Sequence, residues 1–352
     1  SSKEYMSYRA VHRGQAKYVI KRVAEEWEYQ NRITFLKGVI DLAMETKFLN
    51  SVNHPNIIEP RGFAEGGAFQ PGYFIVLDRL HETLPKKIKT WTTTDRQCKG
   101  ITGVFVGGKA KVAKLITDRL RVAFDVASAL HYMHSMNIVY RDLKPDNIGF
   151  DVRNSVKIFD FGLAKEMREE ERNADGLFKM TGFTGSIRYM APEVGLRRPY
   201  NHTADIYSFS MLLWYILALE PPYGFYTPEM FLQRVFQLGH RPVVMQEWPE
   251  NIQTVMKRSW DVRLHVRPSF NIIMKVLKKE ASKINPTDAR EFLAYTGPMG
   301  PPATIGGNSG HGNTNSGPPR PSQQQQKQPP RRSSGNRTPA EMAPPPMVPI
   351  RS

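Results

Sequence analysis

The chain of 352 residues has almost no cysteine, holding Cys98 alone, which excludes an intramolecular disulfide framework. A lone thiol fits a reducing compartment, so the expected location is cytoplasmic, with the nucleus a second compartment of that kind. Long apolar runs are missing too. The most hydrophobic stretch, "IYSFSMLLWYILAL" from Ile206 to Leu219, falls short of the roughly 20 uncharged residues a bilayer span needs and reads as a helix buried inside a protein. The polar start "SSKEYMSYRAVHRG" lacks the apolar middle of a secretory signal. Neither a membrane span nor export is therefore expected. Acidic residues are scarce beside basic ones, 33 against 49, for a net charge of +16. Half of that excess lies between Lys86 and Arg121, where ten Lys or Arg stand against only Asp95 and Asp118. Its confinement to one segment, with no zinc-ligand spacing or RNA-recognition signature, argues for a solvated basic face and against a nucleic-acid module.

From Gly297 the composition shifts to Pro, Gly, Ser, Asn and Gln, with few aliphatic core residues. Such a stretch cannot bury enough apolar surface to offset its ordering entropy, so 297–352 is expected to be a disordered C-terminal tail. Pro318 and Pro321 make one PxxP there, a segment that suits a proline-binding-domain partner, and Ser333 and Ser334 follow Arg331 and Arg332 as in a basic-directed phosphosite. Residues 1–80 carry short β-rich runs, "KYVIKRV" and "GYFIVLDRL", around one amphipathic helical stretch at 35–52. Over 81–296 helical periodicity dominates, with a basic insertion near 86–116. The expected class is α+β, a small β-rich lobe followed by a larger helical one.

The chemistry concentrates in two clusters, "YRDLKPDN" and, thirteen residues after Asn147, Asp160 of "IFDFG". Asp142, Asn147 and Asp160 are hard oxygen donors, and Lys144 among them suits phosphate charge. Together the clusters resemble the phosphoryl-transfer set of eukaryotic-type protein kinases, over the chain from its first residues to about Asn285. The resemblance implies a two-lobed protein kinase-like fold, ATP and Mg²⁺, and a protein substrate. It assigns the metal to Asn147 and Asp160, acceptance of the substrate hydroxyl's proton to Asp142, and the transferred phosphoryl group to Lys144. Lys21 of "YVIK" matches the strand lysine that holds the α- and β-phosphates, and Glu45, nine residues before His54, its pairing carboxylate. "FIVLDRL" resembles the hinge, with Leu77 guarding a back pocket and the backbone of Asp78 and Leu80 facing the adenine.

Further along, "GSIRYMAPE" resembles the end of the activation loop. Ser186 stands there for the family's usual Thr, whose hydroxyl bonds the catalytic Asp and Lys. The resemblance also implies a buried Glu193–Arg267 bridge and an Asp205 that caps the catalytic loop. Arg141 is the cation that a phosphate on Thr181 or Thr184 would recruit, ordering a loop whose charged first half is otherwise expected to be mobile. Trp260 with "RPSF" resembles the tyrosine-kinase-like group and "DLKPDN" the serine/threonine kinases, which together imply a tyrosine-kinase-like serine/threonine kinase.

Three stretches depart from the pattern. Gly14 is the only glycine before Lys21, so the glycine-rich loop that covers the phosphates is missing from these residues, and weaker ATP binding is expected. Tyr140 replaces the family's usual His and should pack under Phe161. "GVFVGGKA" at 103–110 nearly matches a phosphate-binding loop, but Ala110 occupies the position of the required hydroxyl; a mobile loop is expected there, with Lys109, Lys111 and Lys114 as an exposed patch. Two functions follow: a kinase transferring the γ-phosphoryl group to protein Ser or Thr, or a pseudokinase serving as a binding scaffold. Retention of Lys21, Glu45, Asp142, Asn147 and Asp160 favours the enzyme.

Overall fold

The computed structural model describes residues 6–10, 16–24, 31–99, 108–287 and 292. Gly14, the 103–107 stretch and the expected tail lie outside them. The apolar run of "YVIKRV" forms β2 (Tyr18–Val23), which pairs antiparallel with β1 (Met6–Ala10) on one side and β4 (Phe74–Asp78) on the other; β3 (Pro60–Phe63) completes the order β1-β2-β4-β3. The register sets Val19 opposite Leu77 and Lys21 opposite Ile75. Alternation along a strand puts Val19 and Lys21 on one face. Helix α1 (Arg32–Leu49) starts at Asn31, whose side chain accepts the Thr34 N–H at 3.0 Å. Its buried stripe runs Gly38, Leu42, Glu45, Phe48 and Leu49, so helical spacing delivers one carboxylate into an otherwise apolar face.

The larger lobe begins with β5 (Glu82–Thr83), α2 (Leu84–Lys99) and α3 (Gly108–Ser135). Two small sheets carry the loops of interest: β6 (Ile138–Val139) pairs with β9 (Lys165–Glu166), and β5, β7 (Ile148–Phe150) and β8 (Val156–Ile158) pair in the order β5-β7-β8. The short α4 (Pro192–Gly195) leads to α5 (Thr203–Ala218), twelve of whose sixteen residues are buried, so α5 is enclosed on every side. It contains most of the long apolar run of the sequence. Beyond it come α6 (Pro228–Met230), continued as a π-helix over Phe231–Gln237, then α7 (Glu250–Ser259) and α8 (Phe270–Ile284). Phe292 is fully buried against Phe124 of α3, ring centroids 5.3 Å apart. Among the described residues no helix is long and apolar enough to cross a membrane.

The basic insertion expected near 86–116 forms, among the described residues, the helix α2 and the start of α3. Leu84, Ile88, Trp91 and Cys98 recur at helical spacing and are buried, while Lys86, Lys89 and Arg96 point outward. The strongly basic composition of the segment concealed that stripe. Gly108 and Lys109 likewise open a helix where a mobile loop was expected, with Lys109, Lys111 and Lys114 exposed.

Arg267 joins α4 to the bottom of the lobe. Its Nη1 and Nη2 donate to the two carboxylate oxygens of Glu193 at 2.6 and 3.0 Å, its Nε to the Asp261 carbonyl at 2.9 Å, and its guanidinium covers Tyr207. Both partners are buried, so removing one strands a charge. Arg267→Ala is expected to lower the unfolding free energy by about 3 to 5 kcal/mol, measured by urea titration followed by circular dichroism; a loss below about 1 kcal/mol would show the pair to be an ordinary surface bridge.

Candidate active site

The cleft between the lobes gathers the predicted residues. Lys21 reaches it from β2, fully buried, and its Nζ donates to Glu45 Oε2 from α1 and to Asp160 Oδ1 at 3.1 Å. Residues 24 and 139 positions away thus meet at one ammonium. Asp160 has φ +69°, a left-handed conformation costly for a residue with a Cβ; such conformations concentrate at functional sites.

Across the cleft, Asp142 Oδ2 accepts from Lys144 Nζ at 2.9 Å and from Asn147 Nδ2 at 3.0 Å, while Oδ1 accepts the Ser186 N–H at 3.2 Å and its Oγ at 3.3 Å. Among the described residues the Ser186 hydroxyl reaches Asp142 and not Lys144, so half of the expected pair of contacts is present. Gly185, which carried no role in the sequence reading, permits this approach. It adopts φ +92°, and a Cβ there would lie 2.4 Å from the Arg141 carbonyl oxygen, closer than backbone allows.

The catalytic loop hangs from α5. Asp205, fully buried, accepts the N–H groups of Tyr140 at 2.8 Å and Arg141 at 2.9 Å, as expected. His134 of α3 adds a contact the sequence did not signal, its Nε2 lying 2.9 Å from Asp205 Oδ2. Tyr140 packs edge-on against Phe161 at 5.4 Å and its hydroxyl donates to the Phe159 carbonyl. Burial first, then the neighbouring carboxylates of Asp160, Asp142 and Glu45, push that hydroxyl well above its ordinary range, so it stays a donor.

At the hinge, the N–H groups of Arg79 and His81 are taken by the carbonyls of Lys17 (2.9 Å) and Phe150 (2.7 Å). The Leu80 N–H between them has no partner among the described residues. Leu77 is buried at the end of β4. The Asp78 side chain turns outward and accepts from Arg61 at 2.6 and 2.8 Å.

In the segment after Asp160, Arg141 donates from Nε to the Leu163 carbonyl at 2.6 Å and from Nη1 to Thr181 Oγ1 at 3.1 Å and Tyr200 Oη at 3.3 Å. Thr184 is placed differently from Thr181. Its hydroxyl donates to the Thr181 and Gly182 carbonyls and does not meet Arg141. The charged first half, expected to be mobile, takes a defined course through β9, a 3₁₀ turn at Glu169–Glu171 and Lys165–Glu171 and Arg172–Glu169 pairs at 3.2 and 2.6 Å.

A neutral histidine fixes α1 to the lower lobe. His54 Nδ1 accepts the Asn56 N–H at 3.0 Å, which leaves Nε2–H for Ser128 Oγ at 3.2 Å, and Tyr132 Oη accepts the Asn53 N–H at 2.9 Å. Burial first, then the charges of Lys157 and His131, lowers the His54 pKa to about 3.

This geometry defines a cleft between a β-rich and a helical lobe, with paired lysine and carboxylates on both walls. The sequence matches the Protein tyrosine and serine/threonine kinase family over residues 7–277, and the chain belongs to that family. It is similar to serine/threonine-protein kinase STY17 of Arabidopsis thaliana, 37% identical over 164 residues, covering 47% of this chain and 28% of that protein. Serine/threonine-protein kinase STY46 of the same plant is 33% identical over 236 residues, covering 65% and 40%. Dual specificity protein kinase shkB of Dictyostelium discoideum is 32% identical over 186 residues, covering 52% and 28%. The chain thus matches less than half the length of each of these relatives. The two plant serine/threonine kinases agree with the tyrosine-kinase-like grouping drawn from Trp260 and "RPSF".

A histidine held neutral by folding favours the native state above its unfolded pKa of about 6.5 and loses that contribution as pH falls toward about 3. Unfolding free energy is therefore expected to decline from pH 6.5 to 4.5, with His54 supplying up to about 1.4 kcal/mol per pH unit. His54→Gln should flatten that decline in urea titrations run across the range. An unaltered slope would show that His54 does not titrate against folding.

Proposed function

We propose that the chain is a protein serine/threonine kinase, transferring the γ-phosphoryl group of ATP to Ser or Thr hydroxyls of protein substrates. The observation that supports it most is the Lys21 ammonium held between Glu45 and Asp160 in the cleft that also holds Asp142 and Asn147. A buried ammonium placed there suits the α- and β-phosphates. Asp142, oriented by four donors, takes the proton of the incoming hydroxyl as its oxygen bonds to the γ-phosphorus and the bond to the bridging oxygen of ADP breaks. Lys144, beside Asp142, balances the charge spread over the phosphoryl oxygens.

Asn147 and Asp160 fit Mg²⁺. Asn147 Nδ2 donates to the carbonyl and Oδ2 of Asp142, which turns its amide oxygen the other way, and Asp160 supplies a carboxylate. When bound, the ion neutralises phosphate charge. Lys144 and the Ser186 hydroxyl favour aliphatic acceptors, while the dual-specificity name of shkB makes tyrosine the acceptor to score against them.

Radiolabelled transfer from ATP to a generic basic protein, followed by phosphoamino-acid analysis, tests this. Label is expected on Ser and Thr, falling at least about 100-fold in Asp160→Ala and Asp142→Asn. Equal background from the unaltered chain and Asp160→Ala would favour the scaffold, and label on Tyr would widen the specificity.

We infer further that phosphate on Thr181 supports this activity through Arg141, 3.1 Å away. Thr181→Ala is expected to lower kcat of the phosphorylated protein severalfold, with Thr184→Ala the milder change. Identical kcat in both variants and the unaltered chain would remove Arg141 from this role.

A further inference from the structure

Strand β7 has an unusual construction where it meets the hinge. Asn147, which faces Asp142, is followed by the extended Ile148, so strand alternation turns the side-chain direction of residue 149 back toward the same side. That residue is glycine. Gly149 lies opposite Thr83 in the β5–β7 pairing, three residues past Leu80 of the hinge. A Cβ at Gly149 would fall 2.5 Å from Leu80 Cδ1, 3.3 Å from Leu80 Cβ and 3.2 Å from the Glu82 carbonyl oxygen. The space that a side chain of β7 would fill is therefore taken by a side chain of the hinge. Leu80 is half-buried, and its backbone N–H is the hinge donor without a partner among the described residues.

We propose that Leu80 and Gly149 act as a nested pair that forms the platform under the purine base: Leu80 provides the apolar surface and Gly149 the recess that seats it. This inference rests on the kinase reading above and names the residues that set how the base is held. An apolar platform stabilises a base through its planar face, and because one residue supplies both the hydrogen-bonding backbone and the platform, moving its side chain disturbs both contacts.

A double-mutant cycle tests the pairing. The variants are Gly149→Leu, Leu80→Ala and the two combined. They are compared in the dissociation constant of a fluorescent trinitrophenyl-ATP and in KM for ATP and kcat. Gly149→Leu is expected to weaken both nucleotide constants about tenfold and Leu80→Ala about fivefold, with kcat held within about twofold. In the double variant the leucine at 149 refills the space left by Leu80, so both constants should return to within about threefold of the unaltered chain, against about fiftyfold for independent effects. Multiplicative effects, or unchanged affinity in Gly149→Leu, would overturn the pairing. If Gly149→Leu fails to fold by circular dichroism, Gly149→Ala replaces it: its Cβ still meets Leu80 Cδ1, so adding Leu80→Ala should cost less than the product of the two single effects, and multiplicative effects would again overturn the pairing. An unaltered chain that binds no nucleotide would overturn both this inference and the kinase reading. One that binds and transfers phosphate while the cycle stays multiplicative overturns this inference alone.

Discussion

Everything in the cleft depends on one ammonium taken out of water. Lys21 is fully buried, and desolvating such an ion costs several kcal/mol unless partners sit close and well oriented. Those partners come from two places: Glu45 on α1 and Asp160 in the loop after β8. Sheet, helix and loop must therefore adopt their positions together. Withdrawing one of them would leave a buried charge with one partner fewer, a loss of order 3 to 5 kcal/mol where a buried pair is broken outright. The cleft is for this reason closer to a two-state device than to a graded one.

The lower wall solves a different problem, that of holding a carboxylate rigid without burying it among unpartnered groups. Asp142 is fixed by four donors, and the backbone leading to it is fixed by Asp205, which α5 holds in the middle of the lobe. Enclosure of α5 on every side makes it a rigid support, and sites built on rigid elements keep their geometry. Left-handed Arg141 and Asp160 and the glycine conformation of Gly185 are the local costs of that precision. His54, Tyr132 and Asn53 then join α1 to α3, so the helix that carries Glu45 is referenced to the same lobe as Asp142.

Much of this was legible in the amino-acid order through its resemblance to the protein kinase pattern, whose functional groups suit phosphate and metal chemistry. Lys21, Glu45, Asp142, Lys144, Asn147 and Asp160 were all readable by that resemblance, and the lobe order followed from the change of period near Leu80. Residues acting through packing or backbone shape were not. His134 and Tyr200 look like any buried aromatic until Asp205 and Thr181 are placed beside them, and Gly185 showed only as the glycine before Ser186. The helix α2 was hidden because charge dominates its composition, although burial follows the four apolar positions on one face. Which of the two threonine hydroxyls the unmodified Arg141 guanidinium meets was not legible, because that depends on how the loop after Asp160 folds back over it.

The bonds Arg141 already makes limit what a phosphate can add. Its guanidinium donates to the Leu163 carbonyl, the Thr181 hydroxyl and the Tyr200 hydroxyl, and the Tyr200 hydroxyl in turn donates to the Thr181 carbonyl. Neutral bonds of this sort contribute about 1 kcal/mol each, and charged ones about twice as much. A phosphate on Thr181 would exchange one neutral acceptor for a charged one at the same position, gaining on the order of 1 to 2 kcal/mol over the present arrangement. A ligand or modification shifts an equilibrium only by its differential affinity for the two states, so the corresponding shift is about tenfold. A phosphate on Thr181 would thus tune the loop and not create it, because β9, the turn at Glu169–Glu171 and the Tyr200 contacts already set its course.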